Sequence, residues 1–434
     1  MSDDTIYALS SGTGAAGIAV IRISGPEAAR AGAAIAGPVP APRAAVLRTF
    51  RDPSGGQPID SGLFLFFAGP ASFTGEDLVE LHAHGSLAVI RRMLGVLAAM
   101  PGLRQADAGE FTARAFRNGK MDLIEVEALG NLLAAETESQ ARMALTHQSR
   151  LRDAAADWRR TLIDLIALTE AYIDFSDEDD VQSAGEAPVL SEVAALAGAI
   201  GRAAATLETG ERIRRGYRVA ILGPPNAGKS SLLNALAQRD VAITSPIPGT
   251  TRDAVEVHLD LGGFAVILID TAGIRETADT LEQAGIARAH AAAASADLVI
   301  WLSPVDSPVK SPYPDSLEIG SKADKLDSIP LWNSDSRFVS VMDGRGLGSL
   351  IDEMRSRVSA ALTPGGDALI VANARQANEL ARAAASLGRA EAAADLEIRA
   401  EELRAAAHTL DRLVGRIGYE DILDAIFSRF CIGK

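Results

Sequence analysis

Apolar residues recur along this chain with two different periods. Within residues 1–118, GIAVIRIS (17–24) and GLFLFFAG (62–69) are short, nearly unbroken apolar runs bounded by Gly and Pro, the pattern of buried strands. LAVIRRMLGVLAAM (87–100) is longer and stops at Pro101, which predicts a helix. From Met121 to about Ile213 the texture is helical. Trp158, Leu162, Leu165, Ile166, Thr169, Tyr172 and Ile173 share one 3.6-residue face, and the acidic run DFSDEDD (174–180) closes that helix as a solvated end. Residues 216 to about 358 alternate strands with helices, which predicts a parallel sheet. After Pro364-Gly365-Gly366 the chain is helical again. Leu396, Ala400, Leu403, Ala407, Leu410, Val414 and Ile417 step by four and three, a seam suited to a bundle.

The expected architecture is therefore multidomain, α+β and α/β. Residues 1–118 form an N-terminal α+β domain, 119–215 a first helical part, 216–358 an α/β domain, and 359–434 a second helical part. Two helical blocks flanking an α/β block predict one helical domain interrupted by an independently folding insertion.

Composition narrows the classes. At 434 residues with 47% hydrophobic content the chain can bury several cores. No apolar run reaches the ~18–20 residues of a membrane span, and MSDDTIYALSS lacks the basic-then-apolar layout of a signal peptide. One cysteine, Cys431, excludes an internal disulfide and a thiolate cluster; these features point to the cytoplasm. A net charge of −15 argues against a free-standing binder of phosphate backbones, leaving RNA contact to a local basic patch or a partner.

The strongest chemical signal is RVAILGPPNAGKSSLLNALA (218–237). A β-run leads into Gly223-x4-Gly228-Lys229-Ser230 and then a helix, the context of a phosphate-binding P-loop. Asn226, Ala227, Gly228, Lys229, Ser230 and Ser231 surround the phosphates: glycines let N–H groups face them, the helix N-terminus adds positive charge, Lys229 reaches the terminal phosphates and Ser230 ligates Mg2+. GTTRD (249–253) offers Thr251 as a second Mg2+ ligand on a switch loop. VEVHLDLGGFAVILID (255–270) reads as a hairpin turning at Gly262-Gly263 and delivering Asp270, Thr271, Ala272 and Gly273. ADLVIWL (296–302) is the next buried strand. Ser321-Lys322-Ala323-Asp324 fills the base slot, where the aspartate accepts two hydrogen bonds from guanine, so the nucleotide is GTP. Ile274 stands where a glutamine would orient the attacking water, and Ser321 stands where asparagine is usual.

The resemblance becomes specific outside the nucleotide motifs. DTIYALSSGTGAAGIAVIRISGP (4–26), FTGEDLVELHAHG (73–85), DAGEFTARAFRNGKMDLIEVEAL (107–129) and the terminal FCIGK resemble the MnmE (TrmE) family of tRNA-modification GTPases, over essentially the whole chain and in the same domain order. The resemblance implies an N-terminal domain similar to folate-binding aminomethyltransferase modules that makes a homodimer, and a helical domain carrying an inserted G domain. It also implies that, with the flavin-dependent partner MnmG, such a protein adds an aminomethyl or carboxymethylaminomethyl group to carbon 5 of the tRNA wobble uridine. The one-carbon unit comes from a 5,10-methylene or 5-formyl tetrahydrofolate derivative, FAD enters only through the partner, and no membrane is involved.

By the same resemblance, Asn226, Ser245, Ile247 and Thr250 hold K+, and Pro246, Pro248 and Gly249 belong to the same nucleotide-binding loop. Glu282 polarises the attacking water indirectly. Arg22, Glu80, Lys120 and Lys434 contact folate. The loop Ser10-Ser11-Gly12-Thr13-Gly14 lacks the prolines and basic residue frequent there. His82 and His84 in HAHG share a strand face but are too few donors for zinc, so a structural role is expected. Cys431 is either a small buried hydrophobe or a participant in the modification chemistry, and both readings stay open. The alternative from a different class is a GTP-driven ribosome-assembly switch, which shares the Asn-containing P-loop. Such factors carry a basic αβ RNA-binding module after the G domain, where this chain has Ala-rich helix. A nucleotide-gated metal chaperone is disfavoured by six histidines and one cysteine.

Overall fold

The computed structural model describes residues 4–12, 14–174, 187–239, 241–243, 256–270, 289–326, 337–363 and 369–417, with 423, 426, 427, 430, 432 and 433 near the C-terminus. The chain divides into two compact units: Met1–Gly130 with His408–Lys434, and Asn131–Ala407.

In the first unit, β1 (Thr5–Leu9), β2 (Ala16–Ser24), β3 (Val46–Arg51), β4 (Pro58–Phe67), β5 (Leu78–Gly85) and β6 (Leu103–Gln105) form one sheet ordered β3-β4-β5-β2-β1-β6. It is antiparallel except for the β1–β6 pair. β4 begins four residues before the apolar run that predicted it, because Pro58, Asp60 and Ser61 also pair with β3. Ile21, Ile23, Phe50, Phe64, Val79 and Leu81 pack against helices Ala28–Ala36 and Leu87–Ala98. Side chains alternate along a strand, so Arg22 and Glu80, directly paired across β2 and β5, lie on the opposite face. On that face Ile6, Ala8 and Ala106 cluster with Phe111 of helix Glu110–Arg117.

The C-terminus returns to this unit. Leu423, Phe427 and Phe430 pack with Phe116, Leu123 and Val126. Ile432 bridges to Ala108, and Ser10 Oγ donates to the Gly433 carbonyl at 2.8 Å. Gly433 has φ 97°, and a Cβ there would lie 2.1 Å from the Leu9 carbonyl oxygen, so the close approach of the tail demands glycine.

In the second unit, helix Glu138–Arg142 runs through a π-helical turn, Met143–His147, into the long helix Gln148–Asp174. The expected face is observed there, with Leu162, Leu165 and Thr169 buried and Trp158, Ile166, Tyr172 and Ile173 half-buried. Helix Ala374–Ala392 packs along Ala187–Ala204. The part of helix Leu396–Val414 in this unit buries Ala400 and Leu403 of the expected seam and adds Ala406; Leu410 of the seam and Leu413, also buried, belong to the first unit. The helix ends at Val414, so Ile417 lies beyond it.

Between these helices sits β7 (Tyr217–Leu222), β8 (Glu256–Asp260), β9 (Ala265–Asp270), β10 (Leu298–Pro304), β11 (Leu317–Ser321) and β12 (Arg337–Val339), ordered β12-β11-β10-β7-β9-β8. Only β8 is antiparallel, closing the expected hairpin through Gly262 and Gly263 at φ 71° and 87°. The points where the chain enters and leaves this sheet are stitched together. Thr206 Oγ1 donates to Leu369 O and accepts from Val371 N, both at 3.0 Å. Arg214 Nε donates to Ala372 O at 3.2 Å. The Asp297 carboxylate, with its side chain 5% exposed, accepts from Arg212 Nε at 2.9 Å, Arg215 Nη2 at 2.8 Å and the Arg218 backbone N–H at 2.9 Å. Met143, Ile213, Ile370 and Ala372 join the core beneath the sheet, so the α/β insertion shares its base with the helical segments.

One stretch among the described residues, Ala187–Arg215, is long and apolar enough by length and composition alone to cross a membrane, an exception to the sequence expectation. It consists of two helices, Ala187–Ala204 and Leu207–Arg215. Val189, Val193, Leu196, Ile200 and Ala203 form one buried stripe that faces other helices, and Arg212, Arg214 and Arg215 end the second helix. Its apolarity is that of a packed bundle helix.

Candidate functional site

Parallel strands deliver their C-terminal ends to one edge of a sheet, where α/β ligand sites form. β7 ends at Leu222, and the loop 223–228 leads into helix Lys229–Ala237. A Cβ on Gly223, at φ 151°, would lie 2.1 Å from the Leu302 carbonyl oxygen, so β10 passes too close for any other residue. Asn226 (φ 58°) and Gly228 (φ 92°) are left-handed. Such turns swing successive N–H groups to one side of a loop, the arrangement that cradles anions. The ammonium of Lys229 is held by the Gly223 and Pro224 carbonyls, both at 3.0 Å, which places a positive charge within the loop.

The register brings other predicted positions to the same edge. Asp270 pairs with Ile221 across β9 and β7, and Ser321 pairs with Pro304 and Val339. A hydroxyl at Ser230 on the first helical turn and a carboxylate at Asp270 on the neighbouring strand end are hard oxygen donors that suit Mg2+. Ser245, Pro246, Ile247, Pro248, Gly249, Thr250, Thr251, Thr271, Ala272, Gly273, Ile274 and Glu282, together with the Asp270 side chain, lie outside the described residues.

At the base slot, Lys322 is left-handed at φ 60°, and the exposed Asp324 carboxylate accepts from Ser340 Oγ at 2.8 Å. Arg345 Nη1 donates to Ala323 O at 3.1 Å. The Ser321 hydroxyl is buried without a hydrogen-bond partner, a polar group at the slot that a ligand or water would satisfy. Ser340 and Arg345 were missed in the sequence. Their signal is the short strand RFV followed by Ser340 and then Gly344-Arg345-Gly346, read only as part of a strand–helix repeat. Ser231, Asn234, Gln238 and Arg239 line a cleft of about 700 Å³ with Val341, Gly344 and Leu347, so the loop after Ser340 also borders the phosphate-loop helix.

In the first unit the structure joins Arg22 to Glu80. Nη2 and Nε of Arg22 donate to Glu80 Oε1 at 2.8 and 3.1 Å. The guanidinium lies 5.5 Å from the Phe73 ring and 5.7 Å from the Phe111 ring, a cation–π clamp. His82 Nε2 lies 3.0 Å from Glu80 Oε2, while His84 pairs with Asp60 at 2.8 Å, so the two imidazoles have different carboxylate partners. Lys120 is not drawn to this pair; its Nζ donates to Pro70 O at 3.0 Å. Cys431 and Lys434 lie outside the described residues, but their neighbours Ile432 and Gly433 are pinned at Ala108 and Ser10.

Burial raises the Glu80 carboxyl, but hydrogen bonds and charge from His82 and Arg22 outweigh it, and its pKa falls below the usual value. A lowered carboxyl stabilises the fold fully above the unfolded pKa, ~4.3 for Glu, and loses that contribution as pH falls through the folded value. The difference in thermal midpoint between the native chain and Glu80→Gln should thus be largest near neutrality, about 1–2 kcal/mol in equivalent free energy, and shrink below about pH 4.3. Calorimetric scans across pH check this.

Comparison with known proteins extends these observations over the chain. Residues 5–120 match the model of the GTP-binding protein TrmE N-terminus, and residues 123–431 match the model of the MnmE helical domain, a range that encloses the α/β insertion. A tRNA modification GTPase MnmE from Azorhizobium caulinodans is 49% identical over 436 residues, covering 100% of this chain and 99% of that protein. Its counterpart in Mesorhizobium japonicum is 48% identical over 444 residues, covering 100% of both. Among solved structures, the G domain of the T. maritima FeoB iron transporter is 26% identical over 33% of this chain and 98% of its own, with a TM-score of 0.26.

Proposed function

Because the chain belongs to the MnmE family of tRNA modification GTPases, and so hydrolyses GTP in tRNA modification, we propose that it does so as a K+-dependent GTPase working with MnmG on the wobble uridine. The observation that carries the nucleotide-binding part of this reading is the convergence of the phosphate loop, the start of the Asp270 motif and the Ser321–Asp324 slot at one edge of the sheet. In this assignment residues 216–358 form the G domain, 119–215 and 359–434 the helical domain, and 1–118 the folate-binding and dimerisation domain.

Lys229 and the N–H groups of residues 226–231 hold the phosphates, and Ser230, Thr251 and Asp270 hold Mg2+, which neutralises charge between the phosphates. Asn226, left-handed at φ 58° and exposed, would hold K+ together with Ser245, Ile247 and Thr250. Thr271, Ala272 and Gly273 face the γ-phosphate, and Glu282 orients water where Ile274 has no polar group. Asp324, fixed by Ser340, reads the guanine edge.

Arg22, Glu80, Lys120 and Lys434 hold a tetrahydrofolate derivative that supplies the one-carbon unit for the aminomethyl or carboxymethylaminomethyl group, with FAD carried by MnmG. The pinning of Gly433 to Ser10 supports a role for the tail near this site, and Cys431 is a candidate participant. Homodimerisation through the N-terminal domain is supported by the exposed apolar pair Leu47 and Leu63, opposed across β3 and β4 at 70% and 39% exposure, an apolar surface of the kind that partners cover.

Turnover should be at least about tenfold faster in KCl than in NaCl at equal ionic strength, a fraction of the ~10³–10⁵ that an arginine finger supplies to this transition state. Asn226→Ala should remove the difference and leave GTP binding nearly intact. Equal rates in the two salts would rule out the K+ assignment.

A further inference from the structure

The unit formed by Met1–Gly130 and His408–Lys434 holds a cavity of about 390 Å³ in whose wall Lys120 is the one residue given a role above. Arg117 and Lys120, at and just past the end of helix Glu110–Arg117, line it together with Arg416, just past helix Leu396–Val414. Three cations from segments almost 300 residues apart in sequence meet there, in a chain of net charge −15. The wall also carries two carboxylates, Asp122 and Glu125, which offset part of this positive charge and are each held by the other's backbone N–H. Glu125 Oε2 accepts from Asp122 N at 2.9 Å, and Asp122 Oδ1 accepts from Glu125 N at 2.8 Å. Arg416 contacts Asp411 at 3.3 Å and Lys120 donates to Pro70 O. A guanidinium carries five N–H donors and an ammonium three, so both keep capacity for an anionic ligand.

One loop joins this cavity to the Arg22–Glu80 pair. It carries Pro70, which holds Lys120, and Phe73, which stacks on Arg22. Asn118 Nδ2 fastens it by donating to Thr74 O at 2.7 Å. A folate whose pterin donors meet Glu80 has its carboxylates at the other end of the molecule. Each added γ-linked glutamate contributes one more carboxylate, which guanidinium groups recognise by charge-assisted hydrogen bonds.

We propose that this cavity receives the glutamate chain of a polyglutamylated tetrahydrofolate, so that Arg117 and Arg416 select the polyglutamate over the monoglutamate. The proposal rests on the folate reading above. Exposed ion pairs each contribute modestly, so their sum is expected to reach about tenfold in affinity, or ~1.4 kcal/mol.

The test is equilibrium binding of 5-formyltetrahydrofolate monoglutamate and triglutamate to the full chain at low and high salt. The triglutamate should bind about tenfold tighter at low salt, and the advantage should shrink as salt screens the pairs. Arg117→Ala, which removes an exposed side chain, and Arg117→Glu with Arg416→Glu should bring the ratio toward one. Equal binding of the two folates by the native chain would overturn the proposal and leave the folate reading standing. Failure of both to bind would refute the folate reading itself. An advantage that survives in the variants, including one accompanied by loss of tRNA affinity, would also overturn the proposal, since the cations would then serve another anion.

Discussion

Lys229→Ala should lower GTP turnover by about 10²–10³-fold with little change in thermal midpoint. The Lys229 ammonium is fixed by two loop carbonyls at 3.0 Å, on a loop whose shape is set by left-handed turns at Asn226 and Gly228. A cation held there needs no reorganisation as charge develops on the transferring phosphoryl group, which is why such groups contribute so much to catalysis. The fold depends on it little, because the loop is anchored by the tight approach of Gly223 to β10 and by the buried Ala227. Steady-state hydrolysis beside a melting curve separates the two effects. A large loss of stability would show that Lys229 holds the loop together instead.

Gly210→Ala should be strongly destabilising for so small a substitution. Gly210 lies in helix Leu207–Arg215, and a Cβ there would sit 1.8 Å from the Val371 carbonyl oxygen. Both sides of that contact are backbone, already joined by the Thr206 bonds to Leu369 and Val371, so neither can yield by changing a rotamer. The expected cost is about 3 kcal/mol, or roughly 6–12 °C in midpoint. Gly201→Ala is the control: it too is helical, with nothing within 4 Å of the added Cβ, and should be neutral or gain up to about 1 kcal/mol. Equal midpoints for the two variants would show that the two crossings into the insertion are not packed as described.

Features set by local chemistry were legible in the sequence. Strand, glycine spacing and helix around Lys229 follow from what a phosphate demands of a backbone, and Gly262-Gly263 marks the hairpin because both residues need positive φ. The seam through Leu403 and Leu410 follows from helical period alone. What escaped are contacts between distant segments. Ser340 holds Asp324 across 16 residues, and Ser10 holds Gly433 across 423; no periodicity records such pairs. Arg114, 7% exposed, gathers Asp4, Glu76 and Glu110, and Asp297 gathers two arginines and a backbone N–H. Each of these charged residues taken alone reads as solvated surface. Arg22 and Glu80 were singled out by resemblance, and only the β2–β5 register shows them to be a pair, with His82 as a third member that sequence reasoning set aside.

The most direct test of the central claim is mass spectrometry of tRNA nucleosides from a strain lacking this chain, complemented with the native protein or with Lys229→Ala. Without the chain, the aminomethyl-type modification at carbon 5 of the wobble uridine should disappear; the native protein should restore it, and Lys229→Ala should not. Normal modification in the strain lacking the chain would contradict the assignment.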